Sequence, residues 1–167
     1  MQNLKLAAQI YLEAGSIAEL EQKFMVKSEA AKSARQTILQ LEHQLKTLGE
    51  ILKYAEQYQT NRPYYLKYKK AKNPDTIFQK YEGQILLYSG AKRMLEQTGI
   101  DLKSLNVSKL KSEYLELEKQ KNEMSVTYKT CQKEAQEMNQ KLENLKQYIG
   151  QETNQKQVQK TPISPSR

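Results

Sequence analysis

The sequence predicts an all-α chain: a long antiparallel helical hairpin of coiled-coil type, capped by a small helical subdomain and followed by a disordered C-terminal tail. Three observations carry that expectation. The composition suits long helices, two heptad seams of matching length lie far apart in the chain, and the segment between them is broken by prolines and a glycine.

Composition sets the outer limits. A mean hydropathy of −0.85, 38% apolar residues and no Trp in 167 residues leave little for a large globular core, so the apolar surface must lie along a thin seam. Six glycines and four prolines are few interruptions in a chain rich in Lys, Glu, Gln and Leu.

The elements follow in order. Residues 1–15 predict a short amphipathic helix, with Leu4, Ala7, Ala8, Tyr11 and Leu12 on one face and Gly15 as its stop. Ser16-Ile17-Ala18-Glu19 has the form of a capping box, which opens a first long helix over 16–58. Stepping alternately by three and four gives Ile17, Leu20, Phe24, Lys27, Ala31, Ala34, Ile38, Leu41, Leu45, Leu48, Leu52 and Ala55, all apolar except Lys27. Such a helix would run for roughly 60 Å, too long to bury its stripe against a small globule, so it requires an equally long partner.

The same stepping over 105–150 supplies one: Val107, Leu110, Tyr114, Leu117, Lys121, Met124, Tyr128, Cys131, Ala135, Met138, Leu142, Leu145 and Ile149. Some fifty residues separate the two seams, enough for the chain to reverse and pair them antiparallel. If paired positions sum to about 163, Lys121 falls beside Glu42, and Lys27 beside Glu134 and Glu137. Both seam lysines then have acidic neighbours that fix register. This hairpin is a monomer; exchanged helices would make a dimer instead.

Residues 59–104 predict the helical tip. Asn61 and Pro63 read as a helix start, Asn73-Pro74-Asp75 as a break and Gly99 as a helix end, with Ile77, Phe78, Tyr81, Ile85, Leu86, Tyr88, Ala91, Met94 and Leu95 on an apolar face. Residues 151–167, with two prolines and almost no apolar content, predict disorder.

Catalytic and metal chemistry find no foothold in the residue types. His43, the single histidine, excludes any site built on two imidazoles and sits at a solvated heptad position. Gly83, Gly90 and Gly99 follow no phosphate-loop spacing, and Glu19 with Glu21, or Glu116 with Glu118, are too close in a helix to face each other. No enzyme activity, metal or cofactor is expected. Cys131 is alone, which fits a buried thiol in a reducing cytoplasm, and no apolar run is long enough to insert into a membrane.

The formal charge of +8 points to a polyanion or an acidic protein surface. Seven of the eleven tyrosines fall within residues 54–88, interleaved with lysines. Aromatics that stack on bases and cations that neutralise phosphates make Arg62, Lys67, Lys69, Lys70, Lys72, Lys80, Tyr64 and Tyr65 the candidate nucleic-acid contacts. The competing reading has Tyr64, Tyr68 and Tyr81 filling a small core while the lysines form a solvated face.

The succession "LAAQIYLEAGSIAELEQKF", "NRPYYLKYKKAK", "YEGQILLYSGAKR" and "LNVSKLKSEYLELEKQKNEM" resembles the helical C-terminal region of bacterial conjugative relaxases, over residues 4–149. The resemblance implies a non-catalytic module of a mobilisation protein, cytoplasmic, acting in conjugative DNA transfer through DNA near a transfer origin or through relaxosome and coupling proteins. It also implies that the nucleophilic tyrosine and the metal-holding histidines belong to an upstream nuclease domain, so no catalytic residue carries over to this chain. The alternative is a structural coiled-coil spacer or protein-docking module without a nucleic-acid role.

Overall fold

Lys, Glu, Gln and Leu dominate stretches with no strand pattern, and the chain answers with helices. The computed structural model describes residues 2–158, and among their side chains those of 12–152, 154 and 155. These residues form three helices and no strand: α1 Gln2–Lys70, α2 Pro74–Gln97 and α3 Val107–Val158. They divide into two units. A two-helix unit comprises the described residues of Met1–Thr37 and Met124–Arg167; a three-helix unit comprises Ile38–Glu123.

In the two-helix unit the heptad stripes of α1 and α3 face one another. Ala31, Ala34, Ala135 and Leu142 are buried, while Phe24, Lys27, Tyr128 and Met138 are half-buried. Lys27 forms an ion pair with Glu134, and Lys146 reaches Glu21 at 2.8 Å, as an antiparallel register requires. Glu137 instead lies 4.0 Å from Lys133 on its own helix. Cys131 is partly exposed rather than buried, because two helices cover a seam residue from one side only.

In the three-helix unit the same register holds: Lys121 lies 3.4 Å from Glu42 and Lys111 lies 2.7 Å from Glu56. Leu41, Leu45 and Ala55 of α1 are buried with Ile85, Tyr88, Ala91 and Leu95 of α2, Leu95 and Ala55 completely. Pro74 opens α2 at a position where its missing N–H is harmless, with Asp75 in the first turn where the helix dipole favours a carboxylate. Gly99, at φ +76, closes it. Its N–H donates to the Glu96 carbonyl and that of Ile100 to the Leu95 carbonyl, a Schellman ending that needs the left-handed glycine. Asn106 then caps α3, its Oδ1 accepting the Lys109 amide at 3.0 Å.

Three expected helix ends are absent. Gly15 lies inside α1, and Glu19 turns to Lys23 at 2.9 Å instead of closing a capping box. A glycine permits a helix stop without imposing one, at a penalty of about 1 kcal/mol relative to Ala. Asn61 and Pro63 also lie inside α1. Asn61 is buried and donates its side-chain amide to the Gln57 carbonyl at 2.8 Å, so it serves within the helix and not as its cap. Pro63 withholds a donor only from the carbonyl of Gln59, an exposed residue. At the far end α3 continues past Gly150 to Val158, with the Tyr148 hydroxyl donating to Glu152 at 2.8 Å across the glycine. Residues 159–167, the rest of the expected disordered tail, lie outside the described residues.

Candidate nucleic-acid interface

All eight candidate residues belong to the three-helix unit, where the end of α1 meets the start of α2. Tyrosine rings organise this junction. Tyr88 of α2 stacks with both Tyr58 and Tyr65 of α1, at centroid separations of 4.9 and 4.4 Å. Tyr58 and Tyr65 are seven residues apart and share a helix face, so one ring of α2 holds α1 on both sides of Pro63. Farther along, Tyr64 packs on Tyr81 at 5.0 Å and Tyr68 on Phe78 at 5.8 Å. Burial, assisted by the Tyr58 hydroxyl, pushes the Tyr88 phenol up to about 12.

The cations sit outside this aromatic layer and partly on it. The Lys67 ammonium lies 5.8 Å from the Tyr64 centroid and 5.7 Å from that of Tyr81. Lys69 is 5.8 Å from Tyr65, and Lys80 is 5.3 Å from Tyr81. Arg62, Lys70 and Lys72 are exposed. None of the six cations forms an ion pair with a described carboxylate. Residues 53–80 contain only two carboxylates, and one of them, Glu56, is engaged by Lys111. Lys67, Lys69 and Lys70 fall in the last turn of α1, where they also complement the negative end of the helix dipole.

The structure places the eight residues at one junction but not on one face, since Lys67 and Lys69, two apart in α1, point to opposite sides of the helix. The cations are exposed and available to phosphates. Tyr64 and Tyr65 are half-buried, each with ring surface committed to α2, so they act here as packing residues and as seats for lysines. Sequence reasoning missed the centrality of Tyr88. The seven-residue spacing of Tyr58 and Tyr65 was the available sign that some ring must stack with both.

Elsewhere in the three-helix unit, an open groove of about 820 Å³ runs past Leu48, Ile51 and Leu117, with His43, Glu113 and Glu116 at its lining. His43 is exposed, as its heptad position predicts. Among the described residues no cluster of three or more His, Cys, Asp or Glu is placed to hold a metal, and no helix is long and apolar enough to cross a membrane. No family model, curated protein or solved structure matches this chain.

Proposed function

We propose that the chain is a non-catalytic helical module that binds DNA through phosphate contacts made by Arg62, Lys67, Lys69, Lys70, Lys72 and Lys80. The observation that carries this reading is the group of six cations without an ion-pair partner among the described residues, three of them held over tyrosine rings. A lysine resting on an aromatic face has fewer conformations to lose when it meets a phosphate. With Tyr64 and Tyr65 packed on α2, the contacts go to the nucleic-acid backbone and not to bases, which makes binding insensitive to sequence. A role in conjugative transfer, at a transfer origin or with relaxosome proteins, rests on the sequence resemblance to relaxases.

The test is a mobility-shift titration with duplex DNA. Affinity is expected to fall with salt at a logarithmic slope approaching about −0.9 per phosphate contact. Changing Lys67, Lys69, Lys70 and Lys72 together to Glu abolishes the shift while circular dichroism stays helical. Absence of binding at low salt sinks the proposal; tighter binding to origin DNA than to a scrambled duplex adds a sequence-reading element that these packed rings do not provide. The protein-docking alternative draws on a separate feature, the exposed Leu86, Leu87 and Met94 of α2.

A further inference from the structure

Helix α2 carries two apolar stripes. Ile85, Tyr88, Ala91 and Leu95 form the buried one. The other, Gly83, Leu87, Gly90 and Met94, repeats at the same three-and-four spacing about a third of a turn away, with Leu86 beside it. It is uncovered: Leu86, Leu87 and Met94 are 55%, 48% and 37% exposed. With Tyr54 and Gln57 of α1, this face borders an open groove of about 500 Å³. A Cβ added at Gly83 or Gly90 would meet nothing within 4 Å. No contact within the chain requires either glycine, and each weakens the helix relative to alanine.

We propose that this face is a self-association surface, on which α2 of a second copy of the chain docks antiparallel. The stripe is complementary to itself in that orientation. With paired positions summing to about 177, Leu87 of one copy lies over Gly90 of the other, and Met94 over Gly83, so both large side chains of the stripe meet a space left by a glycine. The flank matches as well. Glu82 and Arg93 lie on the same side of the stripe, and in an antiparallel pair equivalent flanks face each other, which sets Arg93 of each copy against Glu82 of the other. Neither residue has an ion-pair partner within its own chain among the described residues. A two-fold axis near residue 88 makes the contact isologous and closed. Tyr81, whose φ of −126 and ψ of 29 interrupt the helix, limits the paired segment to 82–97, about 24 Å of helix. That short span makes the association concentration-dependent.

Sedimentation equilibrium of the full chain tests this. The mass is expected to rise from 19.4 kDa toward twice that value as concentration increases. Gly90→Gln fills open space and adds helix propensity, so it should leave the chain monomeric at every concentration with an unchanged or higher unfolding midpoint. Arg93→Glu should weaken the dimer severalfold, and Glu82→Arg in the same chain should restore it. A wild-type mass that stays at 19.4 kDa, or a dimer indifferent to Gly90→Gln, overturns the proposal. Failure of the double charge reversal to restore association overturns the antiparallel register on which it is built.

Discussion

The two-helix unit buries Ala31, Ala34, Ala135 and Leu142, whereas the three-helix unit buries Leu41, Leu45, Ala55, Ile85, Tyr88, Ala91 and Leu95. Both are built on the same heptad stepping, and the difference lies in what covers the seam. In the first, each stripe has one opposing helix, and bridging pairs such as Lys27–Glu134 and Glu21–Lys146 line the join. In the second, α2 adds a third set of side chains. There Leu95 is completely buried and tyrosine rings stack. Two α1–α3 ion pairs bridge each unit, so an identical sequence period yields joins alike in charge that differ in the ring stacking that α2 adds to one of them.

Truncating a buried leucine in each unit tests that contrast most severely. Leu95→Ala removes a completely buried side chain and should destabilise the three-helix unit by about 2–5 kcal/mol. Leu142→Ala, where only two helices meet, should lie at or below the bottom of that range, since the site is more open to relaxation and water. Denaturant unfolding combined with amide exchange resolved along the chain would measure both. Equal losses would erase the distinction.

Alkaline titration should produce a smaller effect, centred on the three-helix unit. The Tyr88 phenol is held up to about 12 in the fold, above the usual value near 10. The folded state therefore keeps a proton that the unfolded chain releases first. The stability associated with Tyr88 is complete below about pH 10 and is lost as pH rises toward about 12. Tyr88→Phe should flatten that part of the pH profile, and unchanged steepness would remove Tyr88 as its source.

The smallest expected effect is at the two-helix join. Glu134 holds the Lys27 ammonium above the ordinary lysine range, chiefly by hydrogen bonding, so this contribution also fades at high pH. As a partly exposed pair it should give little coupling in a double-mutant cycle of Lys27→Met and Glu134→Gln. A coupling well above the error of the cycle would mean that charge stabilises the join and does more than align it.

The seams were legible because the heptad period is long-range and redundant. Every position from Ile17 to Ala55 and from Val107 to Ile149 in the two stripes is buried or half-buried, Lys121 meets Glu42, and Lys27 meets Glu134 though not Glu137. Helix ends were less legible. Gly15, Pro63 and Gly150 each tolerate a break, but tertiary support such as the Tyr58–Tyr88–Tyr65 stack decides whether one occurs. At the candidate interface, the exposure of the lysines followed from their chemistry. The commitment of Tyr64 and Tyr65 to α2 did not, because a tyrosine suits a small core as well as it suits a nucleobase.

The clustered rings also give the molecule an optical property. With no Trp in the chain, its near-ultraviolet absorption and emission come chiefly from tyrosine, and most of the eleven tyrosines lie in the three-helix unit. Near-ultraviolet circular dichroism therefore reports mainly the docking of α2, while far-ultraviolet dichroism reports all three helices. Recorded together during unfolding, the two bands distinguish loss of the stacked junction from loss of helix in the same sample without a label.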